Sequence, residues 1–329
     1  MLNSMSEPID GAADGRNLFL VQDPALRSAV MPLFAIDRRD LPGRPVGCGT
    51  TFRIDPWGGC ATAFHVIEDL LEARGGQSVL KEHQRLLALE LEGIPYGAPP
   101  IHPEQWRNFA SMHTLATIDD VPGKPSRLRN VTELASLIIP RSPGKEHEPL
   151  FLGMDLRRWS PAVGARVTAY GFADLDLGDE SAADDRPISQ DLYGSSATIT
   201  DIEPMDPTRG RPWPFFRVDR DWPGGMSGGP VVNEHGHVIG LVSTGMTFAA
   251  SGSAVFLSGS GIAEGMFPQI DPGAPGHVFC WAGFDSDDAI AAIAPTREAL
   301  ATMAAAAGFH SSARVSFNAR NGDYIVVDS

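Results

Sequence analysis

Ser227 sits in the run Gly224-Gly225-Met226-Ser227-Gly228-Gly229-Pro230, one hydroxyl between two glycine pairs. A serine hydroxyl is a weak nucleophile until a base takes its proton. The carbonyl it attacks becomes an oxyanion, which needs N–H donors already aimed at it. Glycine beside the serine meets that second need, because no side chain blocks the approach to its amide. The run therefore suits acyl transfer, with the Gly225 and Ser227 amides as the expected oxyanion donors. A glycine-rich turn holding an incidental serine has the same composition, so the run alone does not decide. His235 and His237 share one face of an expected strand, but no third ligand accompanies them, and no metal site is expected.

The elements around this loop read as short strands. Gly 35 and Pro 27 in 329 residues favour many turns over long helices. "SAVMPLFAID", "GCGTTFRID" and "GGCATAFHV" are three strands, the last two joined by the turn "DPWGG". "SVLKEHQRLLALELEG" predicts a helix running into a strand, and "IPYGAPPIHPEQW" a proline-rich loop. A strand returns at "ELASLIIP". Six more follow in "ARVTAYGF", "SSATITDIE", "PFFRVD", "GPVVN", "HVIGLVSTG" and "SAVFLSG", which suggests a closed antiparallel barrel. Beyond the linker "FPQIDPGAPGH", "DSDDAIAAIA" and "PTREALATMAAAAG" read as helices. "RVSFNARNGDYIVVD" reads as a hairpin around Asn321-Gly322. No internal sequence repeat is visible. The expected division is a loose tail over 1–17, an N-terminal barrel over 18–145 with an insertion around 71–125, a C-terminal barrel over 146–267, and a small α+β appendage over 268–329.

The formal charge of −15, with no basic run, speaks against nucleic-acid and anionic-membrane partners. The first residues have no apolar core of a signal peptide, and no stretch is long and apolar enough to span a bilayer. Three cysteines, Cys48, Cys60 and Cys280, leave at least one unpaired. Reduced thiols in a cytoplasmic protein are expected.

"GMSGGPVVNEHGHVIGLVSTG" resembles the nucleophile segment of trypsin-like (chymotrypsin-fold) serine peptidases, with Val242-Ser243-Thr244-Gly245 as its second element. The resemblance implies a mainly β fold of two six-stranded barrels with the active site between them. It also implies a triad in the order histidine, acid, serine. The family's T-A-A-H is matched by Thr62-Ala63-Phe64-His65, preceded by "GCGTTF", and it makes His65 the general base. Extracellular relatives staple this histidine loop with a disulfide. Cys48 stands at one half of it and Val66 at the other, so no such bridge is implied here. The family's acid lies in a D-[IL]-A-L-L strand, and "TELASLIIP" puts Glu133 there; some viral members of the fold use glutamate. Asp119 and Asp120 in "TIDDVPGK" are the rival carboxylates.

By the same resemblance the floor of the primary pocket lies six residues before the serine, at Asp221, which would favour cleavage after Arg or Lys. Asp219 matches instead a structural aspartate of bacterial members. Trp222 either lines the pocket or packs the loop. Ser243, Thr244 and Gly245 would bind substrate as an added strand. Met226 stands where zymogen-activated relatives keep an aspartate, so activation by N-terminal cleavage is not implied. The expectation is a serine endopeptidase of restricted specificity or under a regulatory protein partner, acting on protein or peptide without metal or cofactor. The alternative is a catalytically inactive peptide-binding or interaction module on the same fold.

Overall fold

The computed structural model describes residues 16–40, 45–54, 58–94, 101–119, 123, 127–140, 150–152, 162–173, 175, 191–204, 212–234, 236, 238–243, 253–256, 271–274, 277–294, 296–298, 300–301, 308–318 and 323–328. The first part of the chain forms β1 (Phe19–Leu20), α1 (Pro24–Ala29), β2 (Val30–Asp37), β3 (Val46–Arg53), β4 (Gly59–Ala63) and α2 (Phe64–Glu68). It continues with β5 (Leu71–Arg74), β6 (Gln77–Leu80), β7 (Gln84–Leu89), β8 (Trp106–Asn108), β9 (Ser111–Asp119) and β10 (Arg127–Ile138). Then come β11 (Arg166–Gly171), β12 (Tyr193–Glu203), β13 (Phe215–Val218), β14 (Pro230–Asn233), β15 (Val238–Val242) and β16 (Ser253–Phe256). The last four strands are β17 (His277–Phe284), β18 (Ile290–Ala294), β19 (Ser311–Asn318) and β20 (Tyr324–Asp328).

Strands β11 to β16 close on themselves: the order β12-β11-β14-β15-β16-β13 returns to β12 through a β12–β13 pairing. Closure removes the free edges that an open sheet would expose. The first sheet has the order β8-β7-β2-β3-β4-β10-β9. Set aside β8, and its six strands repeat the wiring of the closed ring. In both sets the first three strands lie side by side, the sixth beside the third, the fifth beside the sixth, and the fourth beside the first. The same topology twice in one chain is the double antiparallel β-barrel of chymotrypsin type. Among the described residues the first copy stays open where its fourth and fifth strands, β7 and β9, would meet.

The six strands expected after residue 160 are all present. Elsewhere several expectations are corrected. "SAVMPLFAID" is not all strand, because Ser28 and Ala29 end α1. Asp23 caps that helix by accepting from the Ala25 amide at 2.8 Å, with Pro24 in its first turn. "SVLKEHQRLLALELEG" contains no helix; β6 and β7 occupy it. Much of 71–125 is not an insertion either. It supplies β7, β8 and β9 to the first sheet, and only the β5–β6 hairpin forms a sheet of its own.

The C-terminal segment is a four-stranded antiparallel sheet in the order β18-β17-β19-β20. Within "DSDDAIAAIA", Ile290–Ala294 is strand β18 rather than helix, and all five of its residues are buried. Helix does appear at Arg297, Glu298, Leu300 and Ala301. The β19–β20 hairpin is as expected, with Asn321-Gly322 outside the described residues. One apolar core joins the three larger sheets: Phe34, Phe52 and Leu134 of the first, Tyr170 and Leu241 of the second, Val278 and Val315 of the C-terminal one.

Candidate active site

Strand β4 pairs with β10 from Gly59↔Ile138 to Ala63↔Leu134 and then gives way to α2. The first two residues of α2 divide the labour. Phe64 is fully buried in an apolar cluster with Ile67 and Leu71. His65 keeps 30% of its side chain exposed. The phenylalanine that departs from the T-A-A-H pattern thus anchors the helix, and the imidazole is left facing outward.

The carboxylate on that imidazole is Glu133. His65 Nδ1 hydrogen-bonds Glu133 Oε1. The Ser243 hydroxyl donates to the same oxygen at 2.9 Å. The Asn130 amide nitrogen donates to Oε2. The glutamate is 3% exposed, so its charge is held by these donors rather than by water. Of the rivals, Asp119 pairs in register with Arg127, six residues before Glu133 on β10. Asp120 lies outside the described residues.

The nucleophile loop is built by close approach to strands of both barrels. At Gly225 a Cβ would lie 2.2 Å from the Phe172 carbonyl oxygen. At Gly228 it would lie 2.2 Å from Thr62 Oγ1 and 3.0 Å from the Ala63 nitrogen, and the backbone there has φ +83°. Only glycine fits either place. The loop of Ser227 therefore leans on the strand that ends at the His65 helix. Thr50 of β3 ties the arrangement together. Its amide donates to the Ser227 carbonyl at 2.8 Å. Its hydroxyl donates to the Gly225 carbonyl at 2.9 Å and accepts from the Phe172 amide at 3.2 Å.

The oxyanion expectation needs correction for the conformation seen here. Gly224–Met226 form a 3-10 turn, and the Ser227 amide donates to the Gly224 carbonyl at 3.1 Å. One of the two expected donors is thus consumed inside its own loop. Ser227 is 3% exposed.

The pocket-floor expectation also meets a contrary observation. Asp221 is exposed, whereas a floor residue must be recessed. Asp219 accepts from the Thr198 amide at 2.8 Å, which ties the β13 end to β12. Trp222 is 1% exposed and packs in the barrel core with Val218, Met226 and Val242, so it is core rather than pocket lining. Met226 lies wholly in that apolar cluster. Ser243, expected to bind substrate, turns its hydroxyl to Glu133 instead. Thr244, Gly245, His235 and His237 lie outside the described residues.

Two contributors were missed from sequence, Asn130 and Thr50. An Asn three residues before an acid inside a strand pattern is an Asx-turn signal and marked the first. The second lies in the "GCGTTF" run, but nothing local marked its partners, which lie 122 and 175 residues away. None of Cys48, Cys60 and Cys280 is in a disulfide. Among the described residues no cluster of His, Cys, Asp and Glu could hold a metal ion. None of their helices is long and apolar enough to cross a membrane.

No protein-family model matches the chain, and no curated protein matches it. Among solved structures it is similar to the Rv3671c protease from M. tuberculosis. The active form is 15% identical at a TM-score of 0.42, over 73% of this chain and 80% of that one. The inactive form is 16% identical at 0.38, over 70% and 85%. Deg5 is 18% identical at 0.41, over 69% and 83%. Likeness at this level concerns fold alone. The fold itself stands on the strand pairing: two barrels of one topology, chymotrypsin-like, with His65, Glu133 and the Ser227 loop where they meet.

Proposed function

We propose that the chain is a serine endopeptidase in which Ser227 attacks a peptide carbonyl, His65 is base and then acid, and Glu133 orients His65. The observation that carries this reading is the His65 Nδ1–Glu133 bond. A carboxylate on Nδ1 keeps the proton there and leaves Nε2 free to accept the serine proton. It also stabilises the imidazolium that results. Because Glu133 is buried, that stabilisation is larger than it would be in water.

The reading includes a conformational step. The Ser227 amide is released to the oxyanion when the Gly224–Gly225 peptide turns over, which two successive glycines allow without steric penalty. Gly224 is exposed, while Thr50 holds the Gly225 carbonyl. Substrate or a regulatory protein that engages this loop would drive the turn, which fits the expectation of controlled activity. The proposal does not extend to cleavage after Arg or Lys, because Asp221 stands in solvent.

A fluorophosphonate probe with mass mapping tests the reading. A single adduct on Ser227 that disappears in His65→Ala is expected. Folded protein that gives no adduct, alone or with an unfolded protein substrate added, would refute it. The interaction-module alternative then takes its place, with the consumed Ser227 amide as its supporting observation.

A further inference from the structure

Glu133 is one of three described non-glycine residues with positive φ, at +58°. The left-handed region is unfavourable for a residue with a Cβ. Its neighbourhood explains why the chain holds it there. Strand β10 pairs with β9 up to Asn130↔Ala116 and resumes only at Ala135↔Thr114. On its other edge, pairing with β4 begins at Leu134↔Ala63. Residues 131–134 thus bulge out of the β9 ladder at the point where β4 hands over to the His65 helix.

Asn130 closes this bulge at both levels. Its Oδ1 accepts from the Thr132 amide at 3.2 Å and from the Glu133 amide at 2.8 Å. Those two backbone donors settle which way the planar side-chain amide faces. Its nitrogen then points to Glu133 Oε2 and donates to it. One rigid group therefore fixes the unusual backbone of residue 133 and the plane of its carboxylate together. Oε1 is left to His65 and Ser243.

We infer that Asn130 is a positioning residue for the reaction, acting through Glu133. The inference deepens the peptidase reading and rests on it for its effect on rate. Glutamate has one more rotatable bond than aspartate, so a carboxylate presented on it needs a second restraint to hold one plane. The bulge draws the backbone of residue 133 out of the ladder, and Asn130 supplies that restraint from behind.

Asn130→Asp separates this role from simple support of the turn. The variant keeps an oxygen for the Thr132 and Glu133 amides but sets a second carboxylate against Oε2. At low pH the pair shares a proton, and its O–H replaces the lost N–H donor. As pH rises that proton leaves, the two charges repel, and Glu133 swings off His65. Glu68, the other carboxylate whose charge reaches Glu133, is unchanged in the variant. Expected for wild type is activity that rises with pH and then stays on a plateau. Expected for Asn130→Asp is near-normal activity on the acid side and a descending limb, tenfold or more, on that plateau. Asn130→Ala should lower kcat ten- to a hundredfold with little change in KM. A rise in KM alone, or an Asn130→Asp profile parallel to wild type, would overturn the inference.

Proton NMR of the His65 Nδ1–H gives a readout independent of turnover. The resonance should lie far downfield in wild type and move upfield in both variants. If it does not move, the inference fails whatever the kinetics show. If it moves while the Ser227 probe never labels wild type, the peptidase reading fails and the positioning of Glu133 by Asn130 stands.

Discussion

Glu133→Gln changes the charge on His65 while keeping the shape of the side chain. The carboxylate accepts three hydrogen bonds, from His65, Ser243 and Asn130. A carboxamide cannot accept on both ends. If its NH2 faces Asn130, two donors meet. If its NH2 faces His65, Nδ1 must accept and the imidazole proton moves to Nε2, the atom that has to receive the serine proton. Either arrangement also removes the charge opposite the imidazolium. Two unit charges about 4 Å apart interact by about 4 kcal/mol at an effective dielectric constant of about 20. At about 1.4 kcal/mol per tenfold this alone is about a thousandfold in kcat. An unmet donor adds about 1–3 kcal/mol, so a loss of roughly four-thousand- to a hundred-thousandfold is expected. The assay is kcat on a peptide substrate and the second-order rate of fluorophosphonate labelling, with thermal melting to show that the variant folds. A Glu133→Gln protein within tenfold of wild type, while His65→Ala is inactive, would refute the role given to this carboxylate.

Other outcomes follow from the same contacts. Ser243→Ala removes one donor from a buried carboxylate, a loss of about 1.5–3 kcal/mol for a charged hydrogen bond, and kcat should fall about ten- to a hundredfold. If instead only KM rises, Ser243 serves substrate binding after all. Thr50→Val leaves the Gly225 carbonyl without its hydroxyl donor and the Phe172 amide without its acceptor. Thermal stability should drop by about 1–3 kcal/mol per buried group left unpaired, and Ser227 labelling should slow with it; an unchanged melting curve would remove Thr50 from the nucleophile loop's support. Burial pushes the Cys48 thiol from 9.0 up to about 11 and the Cys280 thiol from 9.0 up to about 12. The unfolded chain ionises first as pH rises, so this stability is complete below pH 9.0 and is lost progressively toward about 11 for Cys48 and about 12 for Cys280. Denaturant midpoints should fall over that window, and a Cys280→Ala protein should show a shallower fall; parallel curves would count against burial as the cause.

What sequence reveals about such a molecule depends on how far apart the interacting residues lie. Ser227 and His65 were legible because each is embedded in a short run whose glycines or small residues serve that one position. The six strands of the closed barrel were legible from alternation and turn residues, and their number and spacing suggested closure, but the pairing that makes it was not, since β12 must bend to pair with both β11 and β13. Two barrels were expected through the family resemblance alone, because topology repeats here without any repeat of residues. Alanine-rich "AIAAIA" reads as helix on propensity, yet it is strand β18 because both faces of that segment are buried. Glu133 shows the same limit at the scale of one side chain. Its place in "TELASLIIP" made it the expected acid, with Asp119 and Asp120 as rivals. Its fitness for the task lies in what the pattern does not show: a bulge and a positive φ that let a longer side chain occupy an aspartate's place. Substituting the acid without the bulge would therefore be expected to fail, and the motif to be sought beside a glutamate in this fold is the asparagine three residues before it.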